Sequence, residues 1–204
     1  MLQPYDVLAA PVEFQEEIKK SRFITQLQRT QGRESAQAFV NEVKASHPTA
    51  RHHCWAFVAA EPINSVALGF SDDGEPSGTA GKPILAALQG SGMGEITAVV
   101  TRYSGGIKLG TGGLVRAYGG GVQQALKLAT KVLKTPQALA TLACNYQDIS
   151  LVESLLGQVD GSIVSSDYGV NVTLTLSFDA RQAVDFKARL FDRSNGVLDL
   201  TLLP

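Results

Sequence analysis

Alternating apolar and polar positions run through PVEFQEEIKKSRFITQLQR (11–29) and predict two short strands. The spacing turns helical in GRESAQAFVNEVKASHP (32–48), with Phe39 and Val43 on one face and Pro48 beyond the end. HHCWAFVAA (52–60) and SVALGFSDD (65–73) read as a strand pair, with the turn residues EPIN between them. A helix is predicted to start at Thr79 and run through PILAALQ. EITAVVTRY (95–103), rich in β-branched residues, follows as a buried strand. A long helix is then predicted from Thr111 to Leu133, weakened by Gly119, Gly120 and Gly121. The pattern changes at LKTPQ (133–137), beyond which glycine becomes sparse. LATLACNY, DISLVESLLGQV (with Asp148 as cap), GSIVSSDY, VNVTLTLSF, ARQAVDFKARLFDRSN and GVLDLTLLP read in turn as strand, helix, strand, strand, helix and strand. That βαββαβ order is the ferredoxin-like pattern. The fold class is therefore α+β with two domains, residues 1–135 and 136–204.

Composition narrows the function classes. The 204 residues carry a net charge of −1, with 44% hydrophobic and 18% charged residues. This suits a soluble globular chain and argues against nucleic-acid binding through a global basic field, while leaving room for a local basic groove. Cys54 and Cys144 form no CxxC pair, so neither a disulfide framework nor a zinc knuckle is expected, and the reading is cytoplasmic. The N-terminal residues show no signal-peptide pattern, and no apolar run approaches the ~18 residues of a membrane span.

The chemistry concentrates in glycine-rich segments. GTAG (78–81) and GTGG (110–113) each precede a predicted helix, and Thr79 and Thr111 are placed as N-caps. A helix start offers free N–H groups and partial positive charge, and a neighbouring glycine lets an anion approach without meeting a Cβ. The candidate anion- or RNA-binding residues are Gly78, Thr79, Gly81, Lys82, Arg102, Tyr103, Gly105, Gly106, Lys108, Gly110, Thr111, Gly112, Gly113 and Arg116. Tight turns and close helix–sheet packing explain the same glycines without a ligand. A Walker A loop is excluded, because Pro76 stands at its first glycine and Pro83 follows Gly81-Lys82. A dinucleotide fingerprint is excluded by Val115 at its third glycine. Asp72, Asp73 and Glu75 form a carboxylate cluster that could hold a cation or do acid–base work, or equally close a turn. His52 and Cys54 share one strand face without a third, orienting group. Trp55, Phe57, Phe70 and Tyr103 suit either a core or base stacking.

SDDGEPSGTAGKPIL followed by ITAVVTRYSGGIKLGTGGLVRAYGGGVQQAL resembles the signature of the IMPACT/YigZ family, and EEIKKSRFI and HPTARHHCWAF match the same pattern. The resemblance covers about residues 15–126, and the tail from about 138 is similar to the C-terminal domain of bacterial YigZ-type members. It implies an N-terminal domain like the second domain of the fifth small-subunit ribosomal protein and domain IV of elongation factor G. It also implies a ferredoxin-like C-terminal domain similar to domain V of that factor. Eukaryotic members regulate translation through an extra N-terminal domain, expected to be missing here, so their protein partner is not carried over. No established catalytic residue transfers from the family. Ser104 stands where the family usually shows a second aromatic after Tyr103.

These observations favour a non-enzymatic protein that binds RNA or the ribosome, with no cofactor, no membrane partner and an open oligomeric state. One alternative is an enzyme acting on a small phosphorylated ligand through Asp72, Asp73 and Glu75. Another is a protein-interaction module.

Overall fold

The computed structural model describes residues 3–203 and divides into two compact units, Tyr5–Lys134 and one built on the residues from Thr135 onwards. The first unit contains, in order, β1 (Tyr5–Leu8), β2 (Val12–Ile18), β3 (Ser21–Arg29), α1 (Gly32–Ser46), β4 (His52–Val58), β5 (Leu68–Ser71), α2 (Gly81–Gly90), β6 (Ile96–Tyr103), α3 (Thr111–Leu128) and β7 (Lys131–Lys134). Five strands form an antiparallel sheet in the order β2-β3-β6-β4-β5. The central β6 is buried on both faces, which is why ITAVVTRY reads as a continuous run rather than an alternation. Ile96, Ala98 and Val100 join the core beneath α2 and α3, with Ile84, Leu88 and Tyr118. Val99 points the other way, onto Phe39, Val40 and Val43 of α1.

The predicted long helix ends earlier than its spacing suggested. α3 stops at Leu128, Ala129 is extended, and Lys131–Lys134 pairs with Tyr5–Leu8 as an antiparallel ribbon. Thr130 and Val132 are poor helix formers and good strand formers, so a distant partner decides their state. The ribbon is tied to the sheet by Glu95, which is buried and accepts from Arg29 Nη2 at 2.9 Å, from Tyr5 Oη at 3.1 Å and from Lys134 Nζ. Burial alone would raise the Glu95 pKa, but Lys134 and Arg29 outweigh it and hold the carboxyl below its ordinary value. A carboxylate whose folded pKa is depressed stabilises above its unfolded pKa and loses that contribution as pH falls through the folded one. Glu95→Gln is therefore expected to lower stability at pH 7 by about 1–2 kcal/mol. The difference from wild type should shrink on acidification, and thermal melts between pH 7 and pH 3 check both parts.

The second unit contains β8 (Gln137–Cys144), α4 (Ile149–Gly157), β9 (Ser162–Tyr168), β10 (Val172–Asp179), α5 (Ala183–Arg193) and β11 (Thr201–Leu202). Its sheet is antiparallel in the order β11-β8-β10-β9, the βαββαβ arrangement predicted. Leu142, Leu174, Leu176 and Phe178 pack beneath the helices against Leu155, Phe186 and Leu190. Asp148 occupies the N-cap position of α4 as predicted, but its side chain makes no cap hydrogen bond to that helix. The residue lies in a preceding 3-10 turn and accepts from Asn145 N at 3.1 Å in a capping box. The predicted last strand is short, and Pro204 lies outside the described residues.

Candidate functional site

One end of the five-stranded sheet collects most of the candidate residues. The β2–β3 hairpin turns there at Lys19 and Lys20, both at positive φ (48° and 63°). β6 ends there with Tyr103 opposite Arg22, and β4 begins there with His52 opposite Arg102. Loops 72–80 and 104–110 lead from the same end into α2 and α3. A Cβ at Gly105 would lie 2.0 Å from the Lys20 carbonyl oxygen, so only glycine lets the second loop seat on the hairpin tip.

The carboxylate cluster is taken apart by its partners. Asp72 Oδ1 accepts from Ala80 N at 3.0 Å and Gly81 N at 2.8 Å, while Oδ2 accepts from Gly78 N at 2.8 Å. Its burial would raise the pKa, but these three amides, with Lys82 nearby, draw it below the usual value. Asp73 accepts from Lys44 Nζ at 2.9 Å and His53 N at 2.7 Å. Glu75 is buried and accepts from Arg102 Nη1 and Tyr118 Oη, both at 2.7 Å. Among the described residues no three His, Cys, Asp or Glu side chains are placed to hold a metal ion. Cys54 donates to the Asp72 carbonyl oxygen at 2.9 Å, and burial pushes its thiol pKa up to about 12, which suppresses the nucleophilic thiolate.

Three sequence expectations are corrected here. Thr79 is not a cap: α2 starts at Gly81, and the Thr79 hydroxyl donates to the Pro76 carbonyl at 2.6 Å. The amides at the start of α2 meet the protein's own anion, Asp72, so Gly81 and Gly78 have no free N–H for a phosphate. Arg102 is nine-tenths buried against Glu75 and faces the core with Val100, so it is withdrawn from any surface ligand.

The second helix start keeps its open character. Its N-cap is Gly110 at φ 75°, not Thr111, which is the first helical residue; no side chain caps the helix and no acidic residue occupies its first turn. The N–H groups of Thr111, Gly112 and Gly113 thus border on exposed Lys108 and Arg116, which pair with no described carboxylate. Gly106 turns the loop at φ 80°. Tyr103 is half-buried: its hydroxyl lies 3.0 Å from His47 Nδ1 and the Arg22 guanidinium sits 4.5 Å above its ring. Trp55 and Phe57 stack at 5.6 Å on the α1 side of the sheet, which a helix covers, so that face offers no base-stacking platform.

The sequence reading missed the hairpin tip. Lys19, Lys20 and Arg22 join Lys108 and Arg116 at this end, and a cleft of about 260 Å³ opens between β2 and α3 beside them. The signal was present: in EEIKKSR two lysines sit between two alternating runs, where a turn must expose them.

The molecule is thus a two-domain α+β protein that gathers an uncapped, glycine-rich helix start and a basic hairpin at one sheet end. The Impact N-terminal domain model matches residues 19–126, and the domain of unknown function DUF1949 matches 142–197. IMPACT family member YigZ of Escherichia coli (strain K12) is 58% identical over 199 residues, spanning 98% of both chains. An IMPACT family member of Haemophilus influenzae is 54% identical over 199 residues, spanning 98% of this chain and 97% of its own. A crystal structure of a protein described only as hypothetical superposes with a TM-score of 0.78 at 56% identity, covering 100% of this chain and 99% of the other. The chain belongs to the IMPACT family. No helix among the described residues is long and apolar enough to cross a membrane.

Proposed function

We propose that this end of the N-terminal sheet binds the phosphate backbone of RNA, on the ribosome or on a structured RNA, as a non-enzymatic modulator of translation. The observation that carries the reading is an imbalance of pairing. The carboxylates of loop 72–75 are each engaged inside the protein, whereas Lys19, Lys20, Lys82, Lys108 and Arg116 face solvent without an ion-pair partner among the described residues. Residues 1–134 hold fourteen Lys and Arg against eleven Asp and Glu, while 135–204 hold four against eight. The near-neutral whole therefore conceals a positive half. The open helix start adds amide donors and partial positive charge at the same place.

The test is sedimentation with ribosomal subunits across a salt series. Each phosphate contact contributes about 0.7–0.9 to the slope of log K against log salt. Lys108→Ala with Arg116→Ala should reduce that slope by about 1.4–1.8 and leave the melting temperature unchanged, since both side chains are exposed. Wild-type protein that stays at the top of the gradient at low salt, or a double variant with an unaltered slope, would remove the reading.

A further inference from the structure

The cleft between β2 and α3 contains charge for which phosphate binding alone has no use. Glu16, Ile18 and Lys19 of β2 and its turn line it together with Gly113, Arg116, Gly120 and Gln124 of α3. Val12, Phe14 and Ile18 turn the apolar face of β2 onto the core. Glu16 shares that face by alternation and carries a carboxylate into the cleft. Burial alone raises its pKa, with no donor among the described residues to offset it. Beside it, Thr25 is 1% exposed and its hydroxyl has no partner. A Cβ on Gly121 would lie 2.9 Å from that hydroxyl and 3.3 Å from Glu16 Oε1, so glycine there lets α3 pack closely onto β2 and β3 beneath the cleft. Gly120 is different. A Cβ on it would meet nothing within 4 Å, and glycine inside a helix costs about 1 kcal/mol against alanine. No packing contact explains it, but a bare backbone does keep the cleft wall flat.

We propose that this cleft receives a single guanine base of a phosphate-bearing nucleotide, with Glu16 accepting from its Watson–Crick edge and Lys19, Arg116 and the amides that open α3 meeting its phosphate. A carboxylate presents two acceptors and no donor. Guanine presents two parallel donors, N1–H and the 2-amino group, and so matches it bidentately. Adenine and cytosine set a ring-nitrogen acceptor beside their amino group, and uracil flanks its N3–H with two carbonyls; each repels one carboxylate oxygen. Single-stranded RNA is commonly read through such splayed-out bases. The volume is below the roughly 300–1,000 Å³ usual for drug-sized ligands and suits one base rather than two. The inference rests on the phosphate reading of the same sheet end, and the shared chemistry is a guanine nucleotide, within RNA or free.

The experiment measures anisotropy of labelled single-stranded oligoadenylates carrying one central guanine, cytosine or uracil, beside NMR titration with GMP and AMP. Wild type should prefer the guanine oligonucleotide by about tenfold or more, as a bidentate base contact allows. Glu16→Gln should abolish the preference without changing affinity for plain oligoadenylate. Gly120→Leu should abolish it by filling the cleft, with a melting temperature equal to or above wild type. Salt-sensitive oligonucleotide binding without base preference overturns the guanine slot and spares the phosphate surface. GMP shifting the β2 and α3 resonances while no oligonucleotide binds supports the slot and defeats the RNA reading. Binding of neither ends both. Glu16 is merely an inward charge that guards the edge strand if Glu16→Gln promotes self-association with the base preference intact, and that result also overturns the slot.

Discussion

Glu75→Ala is expected to destabilise the N-terminal unit by about 3–5 kcal/mol, the range for removing one partner of a buried ion pair. The Glu75 side chain is 4% exposed and that of Arg102 9%, and they meet at 2.7 Å. Truncation leaves the guanidinium in the core with only Ser21 Oγ, at 3.4 Å, as a side-chain acceptor, and its Nε already lacks a partner. Tyr118 loses its acceptor in the same step, with its ring fully buried against Phe23. The cost comes from stranding polar groups rather than from any large net worth of the pair. Replacing both charges, as Glu75→Leu with Arg102→Met, should therefore restore the part of the loss that comes from the stranded guanidinium, while the Tyr118 hydroxyl stays without its acceptor. Trp55 is the chain's only tryptophan and belongs to this unit, so its fluorescence in urea reports the change without interference from the other unit. A loss below about 1 kcal/mol for Glu75→Ala would show that the pair is hydrated, contrary to its burial.

That pair also shows where the sequence was legible and where it was not. Periodicity located β6, α1 and the whole βαββαβ tail, because each has a face whose burial dictates the spacing. It overran α3 because the apolar residues up to Leu133 keep a helix-like recurrence. Their true partner, Tyr5–Leu8, is more than a hundred residues away, and local spacing does not encode it. At the site, the glycine-rich helix starts were visible, but the anion at the first one is supplied from within the chain. Asp72 precedes Gly81 by nine residues and reads locally as part of a turn. Arg102 was grouped with the surface cations by its position beside Tyr103. Strand alternation sets it on the face of Val100 and Ala98, and both faces of β6 are buried, so the same sequence carried the signal that it points inward.

Asp72→Ala is expected to cost about 2–3 kcal/mol near neutral pH, more than an ordinary N-cap, because one carboxylate serves three backbone donors. Without it, the amides of Gly78, Ala80 and Gly81 lose their acceptor, and loop 72–80 loses its tie to the start of α2. The effect has a pH signature. The folded-state pKa of Asp72 is depressed, so its contribution is complete above the unfolded value and disappears as pH falls through the folded one. Wild type and Asp72→Ala should therefore converge in strongly acidic solution, whereas Asp72→Asn, which keeps an acceptor but no charge, should fall between them at pH 7. Urea midpoints by Trp55 fluorescence across the acid range give all three curves. A difference between wild type and Asp72→Ala that stays constant down to pH 2 would mean that the ionised carboxylate is not what holds these amides. The same variant also bears on the RNA reading: vacating the α2 start frees its amides beside Lys82 for an external anion, so sulfate should stabilise Asp72→Ala more than wild type.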